Sequence, residues 1–290
     1  MSWRTVVISN SAKLDYQLGF MVIRRDDVVK IHLSEISILI IETTAVSLTA
    51  ALLSELTKKK VKVIFCDEKR QPSSELIPYY GSHDTSIKVK KQIGWTDDIK
   101  TAVWTEIVSE KIRKQAELLE QRQLSEANML YQYIKEIEFG DATNREGHAA
   151  KVYFNALFGM EFTRTAENSI NAALNYGYGI LLSAFNREIT ANGYITQLGL
   201  FHDNMFNQFN LGSDIMEPFR PIVDNMVRIM MPEKFEHEEK MKVLKILQDE
   251  VNIAGRKEYV NNAIKIYCRS IFDALNDNDT SLIKFYKNEL

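Results

Sequence analysis

Cysteine is nearly absent from this chain. The two present, Cys66 and Cys268, lie far apart and form no C-x-x-C pair. That excludes a disulfide framework and a thiolate metal centre, and fits a reducing compartment. Long apolar runs are also missing. The best one, ISILII at 36–41, is far too short to span a bilayer, and Arg4 stands where a secretory leader would need an apolar stretch. The expectation is a soluble, cytoplasmic protein with no membrane partner. Neither charge sign dominates: 36 Lys and Arg face 39 Asp and Glu, so bulk electrostatics announce no nucleic-acid binder, although a locally basic face would not show in the total. The common chemical motifs are missing as well. There is no G-x-x-x-x-G-K-S/T loop, no G-x-G-x-x-G after a strand, no H-E-x-x-H and no G-x-S-x-G, and no Cys or Ser has the neighbours of a nucleophile.

What is present changes texture near residue 85. WRTVVI, GFMVIR, VVKIHL and ISILIIET are short, rich in branched residues and separated by polar turns, with Arg24 to Asp27 fitting a hairpin. A helical stretch is expected at 46–59, followed by strand-like KVKVIFCD. The polar segment SHDTSIKVKKQIGW reads as a linker over 86–96. Beyond it, apolar positions 103, 104, 107, 108, 112, 116 and 119 recur at three and four in a helix expected to continue to about Ile137, before Gly140 and Asp141, and helical patterns follow at 144–158, 168–191, 195–210, 214–230, 237–253 and 256–275. The expected fold class is α+β: a small β-sheet domain over 1–85 and a larger all-α helical bundle over 97–290.

Chemistry then rests on acids and one histidine in the helical part: Glu146, His202, Asp203, Asp214 and Glu217. Glu146 follows Thr143 by three residues, the spacing of a capping box, which would give it a purely local task. His202 sits at the edge of a stripe formed by Leu198, Phe201, Met205 and Phe209, where an ordinary core histidine would also sit. Asp214 and Glu217 are three apart and share a helix face, with Pro218 and Pro221 marking a first turn and a break. Two readings stand: first-turn acids that complement the helix dipole, or carboxylates and an imidazole that hold Mg2+ or Mn2+ between packed helices. Arg145, Lys151 and Arg220 lie beside these acids and suit phosphate oxygens. Lys58, Lys59, Lys60, Lys90 and Lys91 are further phosphate candidates, though a basic run is also an ordinary solvated face.

Four blocks in order, NREGHAAKVYFNALFG, INAALNYGYGILLSAF, GYITQLGLFH and SDIMEPFRPIVD, resemble the CRISPR-associated integrase and endonuclease family Cas-one, most closely its type II branch. The resemblance implies an N-terminal β domain that dimerises and a C-terminal helical catalytic domain. It also implies a homodimer that joins a small ferredoxin-like partner, Cas-two, alongside other type II adaptation proteins. The implied activity joins prespacer 3′ hydroxyls to the boundary of a CRISPR repeat in double-stranded DNA, with Mg2+ or Mn2+. Carried over position by position, the ligands fall on Glu146, His202 and Glu217, with Asp214 secondary. Many members have Asp where this chain has Glu217. The alternatives are a non-catalytic DNA-binding scaffold of the same architecture and a metal-dependent phosphoesterase.

Overall fold

The computed structural model describes residues 4–68, 70, 72–78 and 82–287. The portions of the expected first strand and β-sheet domain that fall on Trp3 and on 79–81 lie outside the described residues. The chain divides into two compact units: one comprises 1–85 together with 186–194, the other 86–185 and 195–290.

The first unit holds two four-stranded sheets. β1 (Arg4–Ile8), β5 (Ile36–Ile41), β7 (Lys62–Cys66) and β8 (Pro72–Glu75) form one sheet in that order, with β8 antiparallel to an otherwise parallel set. The other has the order β4 (Val28–His32), β3 (Phe20–Arg24), β2 (Ala12–Gln17) and β6 (Val46–Leu48). All six residues of ISILII are buried because β5 is a central strand, which accounts for its unbroken apolar run. One apolar core draws Val6, Ile8, Leu39 and Val63 from the first sheet and Leu14, Met21 and Ile23 from the second, with Leu52 and Leu56 from helix α1 (Ala50–Lys58). Three strands go beyond the expected set: β2, β6 and β8. β2 reads AKLDYQ, poor in branched residues, and its burial alternates only at its start. β6 takes the first residues of the expected 46–59 helix, which begins instead where Thr49 Oγ1 accepts from Leu52 N at 3.3 Å.

In the second unit, α2 (Thr85–Ile93) occupies the stretch read as linker. Its buried Gln92 donates to Ile195 O at 2.9 Å and accepts from Ile195 N at 3.0 Å. Helix α3 (Asp97–Gln121) is the longest, with thirteen buried residues that cover more than one face. It packs against α4 (Ala127–Lys135), α5 (Arg145–Phe158), α8 (Arg220–Met230) and α10 (Val260–Asp277). The expected continuation of α3 to about residue 137 is interrupted at 122–126, where Gln123 has φ +58°. α6 (Ser169–Ala191) follows its expected bounds closely, and Gly177 within it lies against Val223, whose Cγ1 a Cβ would meet at 2.5 Å. The two helices therefore pack at a glycine contact. No helix among the described residues is long and apolar enough to cross a membrane.

The fold is mixed α+β, but the second unit is not all-α. Where 237–253 and 256–275 were expected as two helices, there are α9 (His237–Leu244), a 3-10 turn, strands β9 (Glu250–Ile253) and β10 (Arg256–Tyr259), and then α10. Ala254 and Gly255 both have positive φ, +52° and +74°, and link paired Ile253 and Arg256. That is a two-residue hairpin turn, and it overrides the apolar spacing on either side. β11 (Tyr286–Lys287) completes the three-stranded antiparallel sheet. A second expected helix, 195–210, is an irregular loop. Asn204 Oδ1 accepts from Phe206 N and Asn207 Oδ1 from Phe209 N, both at 2.9 Å, and these local bonds compete with a helix. Only α7 (Asn210–Ile215), a 3-10 turn at Glu217–Phe219 and then α8 follow, so the break falls at Met216 to Phe219, with Pro221 comfortable in the first turn of α8.

A buried polar junction ties α5, α6 and α8 together. Asp224 accepts from Tyr153 Oη at 3.0 Å and from Tyr178 Oη, and all three are buried. Burial pushes the Asp224 carboxyl from its ordinary 3.8 up to about 6, against the opposing effect of the two phenols. A carboxyl raised on folding favours the folded state fully below its unfolded value, and that contribution is lost as pH rises through the folded value. Relative to wild type, Asp224→Asn is therefore expected to gain about 3 kcal/mol between about pH 4 and pH 7. Denaturant unfolding across that range reads it; parallel pH profiles for the two proteins would contradict it.

Candidate functional site

Helix α5 opens without the capping box that the Thr143–Glu146 spacing allows. Asn144, at φ +53°, is the N-cap, and its Oδ1 accepts from Gly147 N at 3.3 Å. Asp141 adds a second acceptor pair, with Oδ1 taking Arg145 N at 2.7 Å and Oδ2 taking Glu146 N at 3.0 Å. Two orphan amides of the first turn are thus satisfied by a residue outside the expected motif. Gly147 is small because a Cβ there would meet the Asn144 side chain at 2.8 Å. The turn that carries Asp141 is seated on α3: Gly140 N donates to Thr105 Oγ1 at 2.8 Å, and Gly140 itself has φ +74°. Released from capping, the Glu146 side chain extends to α3 and meets Lys111 Nζ at 2.5 Å.

Lys111 also lies 2.5 Å from Oε2 of Glu217. Glu217, in the 3-10 turn before α8, is buried, and its Oε1 lies 2.9 Å from Arg220 Nε. The Arg220 guanidinium in turn sits 4.7 Å above the Tyr178 ring. Burial alone would raise the Glu217 carboxyl, but Arg220 and Lys111 outweigh it and hold the group below its ordinary value. Burial would likewise lower the Lys111 ammonium, yet Glu217 and Glu146 together raise it. The centre is a charged cluster: two carboxylates from different elements share one buried ammonium, with a guanidinium behind the second.

Asp214, fully buried in α7, organises the histidine loop. Its Oδ2 accepts from Leu200 N at 2.6 Å and Phe201 N at 3.1 Å; its Oδ1 accepts from His202 N at 3.2 Å and bonds His202 Nδ1. Both carboxylate oxygens are committed to the loop, so Asp214 positions His202 instead of joining the cation cluster. Gly199 permits this wrap, because a Cβ there would meet His202 O at 2.3 Å and Asp214 Oδ2 at 2.8 Å. Trp104 of α3 supports the loop from below, stacking on Phe201 at 4.6 Å and meeting His202 edge-on at 5.7 Å. The His202 side chain remains 43% exposed, enough for its second ring nitrogen to meet a ligand. The hydrogen bond to Asp214 raises the imidazole above its ordinary value, and the charges of Asp214, Glu217 and Glu146 act in the same direction.

Among the described residues, no three His, Cys, Asp or Glu side chains form a cluster that could hold a metal ion. The donors nonetheless fit a hard divalent cation in kind. Glu146 and Glu217 already hold one cation in common, and an imidazole with a carboxylate behind its far nitrogen is the usual arrangement of a histidine ligand. The structure thus brings Glu146 and Glu217 to Lys111, with His202 within electrostatic reach of both carboxylates. Asp203 is exposed on the loop. Arg145 pairs with Glu136 at 3.0 Å and lies 5.4 Å over Tyr133, while Lys151 is exposed on α5. Lys90 and Lys91 are exposed in the last turn of α2. In the first unit, Lys58 pairs with Glu55 at 2.5 Å, Lys59 caps α1, and Lys60 Nζ donates to Ala191 O at 3.3 Å. Lys111 was missed by sequence reasoning. Its signal was there: it follows Ile107 by four on the apolar stripe, where a charge needs a buried partner.

The family model for CRISPR associated protein Cas1 matches residues 5–262. The chain belongs to the Cas1 family. Among its relatives, the CRISPR-associated endonuclease Cas1 of Neisseria meningitidis serogroup C is 37% identical over 77% of this chain and 74% of its own length. A Francisella tularensis subsp. novicida relative of the same description is 24% identical over 87% of each. Two solved structures carry the fold: a Cas1 protein from Thermotoga maritima, with TM-score 0.79 and 18% identity over 94% of this chain and 97% of that one, and a casposase bound to integration product, with TM-score 0.78 and 17% identity over 96% and 92%.

If Asp214 works by fixing the histidine loop, Asp214→Asn lowers the His202 pKa, readable in its imidazole NMR titration. Gly199→Ala, which forces a Cβ against that carboxylate, is expected to cost about 1–3 kcal/mol of stability in denaturant unfolding. An unchanged His202 titration in Asp214→Asn would contradict the assignment.

Proposed function

We propose that this chain is a divalent-metal-dependent DNA endonuclease and integrase of CRISPR adaptation, of the type II branch. The observation that carries the reading is the convergence of Glu146 and Glu217 on one cation beside an imidazole held by Asp214. Membership of the Cas1 family supports it, as do the relatives named as endonucleases and the casposase fold neighbour. On this reading Glu146, His202 and Glu217 would hold Mg2+ or Mn2+, which would supply positive charge to the non-bridging oxygens of the reacting phosphate.

The chain's own groups set up the rest. Asp214 fixes the ring orientation of His202 through Nδ1 and leaves Nε2 for a ligand. Arg220, locked to Glu217 and stacked on Tyr178, keeps the second carboxylate ionised and aimed. The reaction needs no protein nucleophile: the 3′ hydroxyl of the incoming strand forms a new bond to phosphorus and gives up its proton. The bond from phosphorus to the 3′ oxygen at the repeat boundary breaks, and that oxygen takes a proton. One phosphodiester replaces another, so no nucleotide cofactor is required.

The partners follow from the same reading. Double-stranded prespacer and repeat DNA are bound through exposed cations such as Lys151, Lys90 and Lys91, with Lys58 to Lys60 on the first unit. The residues 1–85 carry a homodimer interface. A Cas2 subunit joins the assembly, in keeping with the solved Cas6-RT-Cas1–Cas2 complex, in which this chain matches 36% of one chain at TM-score 0.76 and 16% identity.

The test is joining of a duplex with free 3′ ends to a supercoiled plasmid that carries a repeat, with and without EDTA. Wild type is expected to join the strands only with divalent metal. Glu146→Ala and His202→Ala are expected to lose joining by at least about a hundredfold while keeping their helical circular dichroism and dimer mass. Full activity in both variants would overturn the site. Binding without joining, unaffected by EDTA, would point to a DNA-binding scaffold instead.

A further inference from the structure

Lys111 has a task that neither the capping nor the ligand reading of the acids foresees. It is buried in α3, and its ammonium touches one oxygen of Glu146 and one of Glu217 at the same 2.5 Å. The other oxygen of Glu217 faces Arg220 at 2.9 Å. Glu217 is therefore enclosed, with a cation against each oxygen and almost no exposure to water.

Mg2+ binds carboxylate oxygens at about 2.0–2.1 Å. It therefore competes with Nζ for the same lone pairs and is repelled by the ammonium charge. Of the two cations, Lys111 is the one suited to leave. Arg220 follows Glu217 by three residues and is clamped between it and the Tyr178 ring. Lys111 reaches Glu217 from another helix through a flexible stem, whereas the planar guanidinium of Arg220 is also held on the Tyr178 ring. Without Lys111, two carboxylates at most twice that contact distance apart would face each other in a poorly solvated site.

The geometry points to Lys111 as a tethered counter-cation that holds Glu146 and Glu217 together in the metal-free protein and is exchanged for the divalent ion on binding. This inference rests on the metal reading above and adds to it a residue that sets the affinity. Exchange weakens metal binding by the cost of displacing the ammonium, and keeps the two acids from spreading apart before DNA and metal arrive.

The test is Mn2+ binding to the full chain at fixed pH and ionic strength, with free Mn2+ read by electron paramagnetic resonance. Lys111→Met is expected to bind Mn2+ at least about tenfold more tightly than wild type. Lys111→Arg, which keeps the charge, is expected to stay near wild type. Equal or weaker binding by Lys111→Met, while wild type still binds, would overturn the exchange alone; binding by none of the three would overturn the metal reading with it. Should Lys111→Met not fold, wild type decides the matter through lysine acetylation followed by mass spectrometry. Lys111 is expected to be protected in metal-free protein and to react several-fold faster at saturating Mn2+, with buried Lys114 unchanged. Protection that persists at saturating Mn2+ would overturn the proposal.

Discussion

The second unit is organised around one buried positive charge. Lys111 lies in the middle of α3 and satisfies carboxylates that arrive from the start of α5 and from the turn before α8. An unpaired charge at that depth would cost several kcal/mol, so the three elements are held to one arrangement by electrostatics as well as by packing. The same helix supplies Trp104, two turns earlier, as the seat for the histidine loop, and Thr105 as the seat for the turn that leads into α5. α3 thus acts as the template on which Glu146, Glu217 and the His202 loop are registered.

Backbone positioning and cation pairing are divided among residues of the same type. Of the four acids in the region, Asp141 caps α5 and Asp214 wraps the loop, each spending both oxygens on backbone or imidazole groups. That leaves Glu146 and Glu217 with oxygens turned toward cations. The shorter aspartates bind nearby amides, whereas the longer glutamates reach across to another helix. A second buried junction, Asp224 with Tyr153 and Tyr178, fixes α5, α6 and α8 behind the cluster, and Tyr178 also carries Arg220 on its ring.

Much of this was legible in the sequence, and the failures have physical causes. The long amphipathic helices α3, α5 and α6 and the branched strands of the first unit follow their periodicity, because burial on one face or two dictates residue type. The ordered blocks from 144 to 224 led to the family. Three things were hidden. Asn-rich 195–210 carries helical spacing, but side-chain bonds from Asn204, Asn207 and Asn210 and the wrap around Asp214 hold it as a loop. The hairpin at Ala254 and Gly255 depends on two positive φ angles that only one of its residues advertises. The linker reading of 86–96 overlooked that Gln92 pairs with the backbone of Ile195, a contact between residues remote in sequence. Lys111 belongs with these: a lysine on an apolar stripe gains meaning only once its partners, 35 and about a hundred residues away, are in place.

The claim that Glu146 and Glu217 form one shared cation site, with His202 as the third donor, is tested most directly by a crystal structure with Mn2+, using anomalous diffraction at the manganese edge. The account expects a strong peak at ligand distance from Glu146 and Glu217, with His202 Nε2 turned toward it and the Lys111 ammonium moved off Glu217. A manganese peak elsewhere, with Lys111 still lodged between both carboxylates, would contradict it.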